Sequence, residues 1–264
     1  MICGCLKKRY DFVFSLGHDC VPAAYLKELG IRTTSMPFDW LSAAPLESRV
    51  DLLVRRFSGF PGKEDMEARP DLVSSTSHLP FCDRRSGLVF LHDFTVGADF
   101  DVDFECVRER YARRCSRLVE RLDLGGQALA VYFASGNEAL SDRFLIEQTD
   151  LLRAAYPKSD INLLVLRNER TRMRSRDVST SVAEVSAWFY PPRTGFPGNV
   201  RVGNRLFRRI GLSGDVLRNR RRVRRVRFLI YALASLVPVK KRRRSMREAW
   251  CERLHVPLLG KYND

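Results

Sequence analysis

A cysteine at the start of a predicted helix is the side chain in this sequence best placed for covalent chemistry. Cys20 follows a short apolar run, Phe12 to Leu16, and then Gly17, and the apolar residues after it recur with a helical period. The pattern predicts a strand, a tight turn and a helix. Free backbone N–H groups and the positive end of the helix dipole favour a thiolate there, and the thiolate is the reactive nucleophile. A buried, inert cysteine is the competing interpretation.

Two histidines are candidate general bases for this thiol. His92 follows the predicted strand Gly87 to Leu91, and catalytic groups often lie where a strand meets a loop. His18 precedes Cys20 by two residues, in the turn itself. An imidazole beside a thiol can take its proton and leave a thiolate that attacks a carbonyl carbon. A structural hydrogen bond is the alternative role for a lone histidine at a strand end.

A third group normally orients such an imidazole. Asp93 is adjacent to His92, but successive strand residues point to opposite faces of a sheet. Asp39 lies in the compact motif Met36 to Trp40, where a carboxylate between two large aromatic side chains needs a partner. The sequence does not choose among Asp93, Asp39, Asp101 and Asn137.

The order of the apolar runs predicts the domain that holds these groups. A strand over 128–134, a helix over 138–155 and a strand over 161–166 form a β-α-β unit, which is typical of parallel strands buried on both faces. The turn Ser135-Gly136-Asn137 would lie at the carboxyl edge of that sheet, where such sheets bind ligands. We therefore predict a three-layer α/β fold with a mixed, mostly parallel sheet and flanking helices.

The remaining elements are less regular in their pattern. Residues 61–86 are polar and are predicted to form a long surface loop. The run ADFDVDFE lacks the central glycine and distant glutamate of a calcium loop, and its period of two predicts an edge strand. Further predictions are helices over 45–60, 106–124 and 206–212 and a strand over 182–190.

Cysteine usage and the first residues bear on compartment and cofactors. The seven cysteines are scattered without the paired CxxC spacing of a zinc site, and the chain does not begin with the apolar stretch of a signal peptide. We expect a reducing, cytoplasmic location. The sequence offers no ligand set for a metal or a redox cofactor, so we expect neither.

The net charge of +15 on 264 residues is concentrated near one end of the sequence. Thirteen Lys or Arg and no Asp or Glu lie between Arg218 and Arg247, and removing them from +15 leaves +2 for the remainder. The sequence thus predicts an N-terminal segment over 1–9, a nearly neutral domain over 10–217 and a basic helical tail over 218–264.

The tail combines these cations with an apolar block over 228–239, which is too short to span a membrane. Nucleic-acid binding would explain the arginines but not the apolar block, so we disfavour it. An anionic membrane surface explains both, and a helix packed on the body is the alternative. The residues expected to contact the membrane or another anion are Arg221, Arg222, Arg224, Arg225, Lys240, Lys241, Arg242 and Arg243.

Three motifs in order, SLGHDC, GIRTTSMPFDW and LVFLHDF, resemble an uncharacterised bacterial family known as papain-like cysteine peptidases. The resemblance covers about residues 10–165 and implies a Cys20 nucleophile, a His92 base and, as an alternative fold, the α+β papain-like one. Phe14 and its neighbours include no glutamine for the oxyanion hole, so Gly17, His18 and Asp19 would provide the donors, or backbone N–H groups alone. The tail separately resembles the ends of proteins encoded in surface-polysaccharide clusters.

Three functions follow as hypotheses. The leading one is a papain-like cysteine peptidase or thiol-dependent acyl hydrolase or transferase, cytoplasmic and peripheral at the inner membrane face, acting on a small molecule, glycan or peptide. The second is a transferase of surface-polysaccharide assembly that binds a sugar nucleotide or phosphate at the helix N-terminus. The third is a non-catalytic, membrane-associated interaction protein with a buried Cys20.

Overall fold

The computed structural model describes residues 4, 7–18, 20–73, 76–134, 138–189 and 200–257. Its helices are α1 (Cys20–Glu28), α2 (Leu46–Val54), α3 (Phe100–Leu124), α4 (Asp142–Ala155), α5 (Val200–Arg209), α6 (Gly214–Ser235) and α7 (Lys240–Arg253). Its strands are β1 (Arg9–Tyr10), β2 (Phe12–Ser15), β3 (Leu41–Ser42), β4 (Met66–Ala68), β5 (Phe81–Asp83), β6 (Leu88–Phe90), β7 (Gly126–Ala134), β8 (Ser159–Asn168), β9 (Arg174–Asp177), β10 (Val182–Ala187) and β11 (Gly211–Leu212).

The centre of the fold is a five-stranded sheet with the order β2-β7-β8-β10-β9. The first four strands are parallel, and β9 pairs antiparallel with β10. A hydrophobic core lies on each side of this sheet, and alternate residues of β7 contribute to each. Ala130 and Tyr132 face one side, and Val131 and Phe133 face the other. The predicted mixed, mostly parallel sheet is confirmed. The inner strands β7 and β8 are apolar along most of their length because both faces are covered, whereas the edge strand β9 is polar and mostly exposed.

Helices cover both faces and complete three layers. On one face, α2, α3 and α4 pack through residues such as Val50, Tyr111 and Leu152. On the other face, α1, α5 and α6 pack through residues such as Leu26 and Phe207. The predicted three-layer α/β architecture is therefore confirmed.

A second, antiparallel sheet includes two strands from the stretch predicted as a loop. Its strand order is β3-β6-β5-β4, and β4 and β5 fall inside residues 61–86. The prediction of one long loop was wrong. These strands have only three residues each and are mostly exposed or partly buried, so they show no clear hydrophobic period.

The acidic run before α3 is helical, so its prediction as an edge strand was also wrong. Helix α3 begins at Phe100, and the Asp99 side chain caps it by accepting hydrogen bonds from the N–H groups of Asp101 and Val102. Phe100 and Phe104 lie four residues apart, on one helical face. Residues four apart also lie on one face of a β-strand, so this spacing alone did not distinguish a helix from a strand.

The boundary predicted after Leu217 falls inside α6. Four apolar residues of this helix are buried, namely Val216, Val223, Ile230 and Ala234. Helix α7 then folds back on α6, where the Arg247 guanidinium lies 4.4 Å from the centroid of the Tyr231 ring. Among the described residues, no helix is long and apolar enough to cross a membrane.

Candidate functional site

The turn before α1 has the predicted strand-turn-helix form. The Leu16 N–H donates to the Val131 carbonyl at 2.8 Å, which continues the pairing of β2 with β7. Gly17 then turns the chain with φ 46°, a value that glycine adopts without steric cost. Helix α1 begins at Cys20, as the sequence predicted. Asp19 and the side chain of Cys20 lie outside the described residues.

A fully buried arginine, Arg49 of α2, holds this turn in place. Its Nη2 donates to the carbonyls of Ala43 at 2.5 Å and of Leu41 and His18 at 3.3 Å each. Its guanidinium also lies 5.6 Å from the Phe38 ring centroid. One cation thus ties the turn before Cys20 to the loop after β3, and sequence reasoning missed it.

The loop that Arg49 binds has strained backbone geometry. Ala43 and Ala44 have φ values of 54° and 57°, the left-handed region that costs a non-glycine residue about 1–2 kcal/mol. Such strain persists only where the surroundings enforce it, and it is concentrated at functional sites. Here the Arg49 hydrogen bonds to both alanine carbonyls supply that constraint.

The three sequence motifs meet at this loop. Leu41, which follows the second motif directly, pairs with Phe90 of the third. Arg49 joins the same strand to the His18 carbonyl in the first. Segments that are up to seventy residues apart in the chain are therefore neighbours in the fold.

Asp39 is buried and is bound to an arginine. Its carboxylate accepts hydrogen bonds from Arg32 Nη1 and from the Met36 N–H, each at 2.9 Å. Burial raises the pKa of this carboxyl, although Arg32 and the Met36 N–H pull it downward. No hydrogen bond joins Asp39 to a histidine in the part of the chain that the structure describes. These contacts hold the second motif in its tight turn.

His92 and Asp93 lie in bends just after β6, and their side chains are in different settings. His92 is exposed, and its ring packs edge-on against His78 with 5.9 Å between centroids. The Asp93 carboxylate is buried against α3, where it accepts from Arg110 at 2.6 Å and from the Tyr111 hydroxyl at 2.9 Å. Asp93 thus anchors the third motif to α3.

The remaining candidates around the thiol are in different settings. The His18 side chain is half-buried, and its Nδ1 is buried without a hydrogen bond to any described residue. Asp101 is exposed on α3 and pairs with Lys63 at 3.1 Å. Asn137, with the rest of the predicted turn 135–137, lies outside the described residues.

The carboxyl edge of the central sheet carries a polar network that sequence reasoning missed. The Tyr132 hydroxyl donates to the Glu138 carboxylate at 2.9 Å. Arg167 of the next strand donates to the Glu138 carbonyl at 3.0 Å and pairs with Glu184 at 3.1 Å. Burial and the Glu138 charge raise the pKa of Tyr132, and the charge of Arg49 opposes that rise.

Most of the predicted anion contacts are exposed. Arg221, Arg222, Arg224 and Arg225 lie on α6, and Lys240, Lys241 and Arg242 lie on α7. Arg243 is half-buried, and its Nε donates to the Val237 carbonyl at 2.9 Å. No cluster of three or more His, Cys, Asp or Glu side chains that could hold a metal ion occurs in the described ranges.

Comparison with known proteins gives one match. Residues 11–154 match the model of the family described as "putative papain-like cysteine peptidase (DUF1796)". This match covers more than half of the chain and includes all three motifs. No curated protein and no solved structure matches the chain.

Proposed function

The chain belongs to the family with that description, and on this premise we propose that it is a thiol-dependent hydrolase or acyl-transfer enzyme. Cys20 is the proposed nucleophile and His92 the proposed base, with His18 as the alternative base. The observation that carries the proposal is the meeting of the three motifs around one strained loop beside the start of α1.

The proposed reaction begins when the imidazole takes the thiol proton and the Cys20 sulfur attacks a substrate carbonyl carbon. The bond from that carbon to the leaving group breaks, and the leaving group takes the proton from the imidazolium. Water, or another acceptor, then attacks the thioester carbonyl and releases the acyl group, which restores the thiol. Backbone N–H groups in the first turn of α1 have no intrahelical carbonyl partner, and they are the proposed oxyanion donors.

The test is selective alkylation by a low concentration of iodoacetamide, with each modified cysteine identified by peptide mass spectrometry. Three other cysteines are expected to react slowly with iodoacetamide. Burial raises the pKa of Cys115 to about 12 and also raises the pKa values of Cys82 and Cys251, so less of each is thiolate. Cys106 is exposed. A background variant with Cys3, Cys5 and Cys106 changed to serine therefore isolates Cys20.

We expect Cys20 to react first and His92→Ala to slow its alkylation. Below about pH 8.5 an ordinary thiol loses about tenfold in rate per pH unit, whereas a thiolate-imidazole pair keeps most of its rate to about pH 6. His78→Ala removes the neighbouring, half-buried histidine and serves as the control. If His18→Ala abolishes the low-pH rate and His92→Ala does not, His18 is the base. Equal labelling of all accessible cysteines contradicts the proposal.

A second candidate function is binding of a sugar nucleotide or phosphate by a glycan-assembly transferase. Arg114 of α3 favours it: its guanidinium lies 5.0 Å from the Tyr111 ring centroid. Its Nη1 is buried and makes no hydrogen bond to a described residue. Saturable binding of a nucleotide sugar that survives Cys20→Ser and is weakened by Arg114→Met would support this function over thiol catalysis.

A further inference from the structure

Helix α6 has two faces of opposite character. Its inner face packs on the body, where the Arg227 Nη2 donates to the Glu28 carbonyl and the Arg220 Nη1 to the Phe207 carbonyl, each at 2.7 Å. The Asn219 side chain donates to the Gly30 carbonyl at 3.0 Å. These bonds fix both the position of the helix and its rotation about its own axis.

The outer face exposes large apolar side chains in its C-terminal half. Phe228 is 72% exposed and Leu236 is 78% exposed. We use the name outer patch for the exposed apolar residues of this region, which are Phe228, Leu229 and Leu233 on α6 and Leu236 and Val239 in the segment that follows it. Large apolar side chains exposed together in this way are unusual on the surface of a soluble protein and indicate a contact site.

Cations flank the outer patch at both ends. Arg221 and Arg225 precede Phe228 by seven and three residues, so they lie on the same side of the helix. Lys240, Lys241 and Arg242 follow Val239 directly and are exposed at the start of α7. No acidic residue lies between Arg218 and Arg247.

We propose that the outer patch and its flanking cations dock the protein in the plane of an anionic lipid surface. Apolar side chains would enter the boundary between headgroups and acyl chains while the cations bind lipid headgroups. A second copy of the chain fits less well, because a symmetric contact through this face would oppose clusters of like charge. Nucleic acid would pair with the cations but leave the apolar side chains exposed to water.

The two faces of α6 make the two interpretations of the tail compatible. The inner face packs on the body, and the outer face is the surface that we propose for lipid binding. Because α6 packs beside the C-terminal end of α1, the bound membrane would hold the whole domain in one orientation.

Sedimentation of the full chain with vesicles tests the proposal. Vesicles of phosphatidylcholine containing phosphatidylglycerol are compared with vesicles of phosphatidylcholine alone. The apolar variant is Phe228→Glu with Leu236→Glu, and its matched control is Val102→Glu with Leu151→Glu, two apolar side chains exposed elsewhere on helices. The charge variant is Arg221→Glu with Arg225→Glu, matched in net charge by Arg113→Glu with Arg143→Glu. Circular dichroism checks that each variant is folded.

We expect salt-sensitive binding to the anionic vesicles that falls about tenfold or more in both test variants and stays within about twofold in both controls. Two results overturn the proposal. The first is an equal loss of vesicle binding in the test and control variants, which would indicate that binding depends only on the net charge of the protein. The second is no vesicle binding together with self-association or nucleic-acid binding that the Phe228→Glu, Leu236→Glu variant abolishes. None of these outcomes depends on the reactivity of Cys20.

Discussion

A single buried cation, Arg49, organises the candidate site at the scale of residues. Its guanidinium hydrogen-bonds four backbone carbonyls, two of which belong to the strained alanines 43 and 44. Side chains of this length are rarely buried without such partners, because desolvating a charge costs several kcal/mol. The strained loop and the turn before Cys20 are therefore expected to lose their geometry together when Arg49 is replaced.

We predict that Arg49→Met lowers the free energy of unfolding by about 2–4 kcal/mol, since several buried carbonyls lose their donor. It should also slow Cys20 alkylation. Arg55→Met is the matched control. Arg55 directly follows the last residue of the same helix, and its partly exposed ion pair with Asp51 is worth about 1 kcal/mol or less. Urea unfolding monitored by circular dichroism measures both variants. Equal stability of Arg49→Met and Arg55→Met would contradict this role.

The sequence predicted some of these residues and not others, for a physical reason. The helix start at Cys20 was predictable because strand, glycine and helical period are local signals. The position of Arg49 in an apolar stripe with Leu46, Val50 and Leu53 was a visible signal that went unused. The arginine partners of Asp39 and Asp93 were not predictable, because only the fold brings residues on different elements together.

At the scale of elements, the central sheet was predictable and the small sheet was not. Strands β7 and β8 have nine and ten residues and continuous apolar runs, so their pattern is unambiguous. Strands β4 and β5 have three residues each. They are held in extended form by antiparallel pairing, β4 with β5 and β5 with β6. Short segments of this kind depend on tertiary contacts rather than on local preference.

The contact between α1 and α6 depends on the absence of a side chain at Gly30. Gly30 has φ 71°, and a Cβ built there would lie 2.8 Å from Val223 Cβ. We predict that Gly30→Ala costs about 3 kcal/mol, from left-handed backbone strain together with overpacking of the helix contact. Gly97→Ala is the control, because Gly97 has φ 77° with no atom within 4 Å of the added Cβ, so that only the backbone term of about 1 kcal/mol applies.

Chemical denaturation of both glycine variants separates these two contributions. If Gly97→Ala lowers the free energy of unfolding as much as Gly30→Ala does, backbone strain alone explains both losses. Gly30 would then not be required for the close packing of α6 on α1. A larger loss at Gly30, accompanied by faster proteolysis within residues 214–235, would show that the side-chain clash displaces α6.

At the scale of the whole molecule, positive charge is concentrated near the C-terminal end of the chain. The thirteen basic residues between Arg218 and Arg247 account for most of the net charge of +15, and they lie on the two C-terminal helices. Two of them, Arg220 and Arg227, face the body and are buried there. Composition revealed the basic segment, but the division of α6 into an inner and an outer face required the packing of the fold.

This packing predicts different outcomes for two truncations. Ending the chain after Val239 removes α7 and leaves the inner face of α6 in place, so we expect cooperative thermal unfolding with a midpoint lowered by only a few degrees. Ending it after Ser213 also removes α6. The carbonyls of Glu28, Gly30 and Phe207 then lose their side-chain donors, and apolar surface of the α1 layer becomes exposed. We expect that shorter chain to aggregate or to be digested rapidly in limited proteolysis. A soluble chain over 1–213 that unfolds cooperatively at the same midpoint would show that α6 is an appendage and that its inner face contributes nothing to the fold.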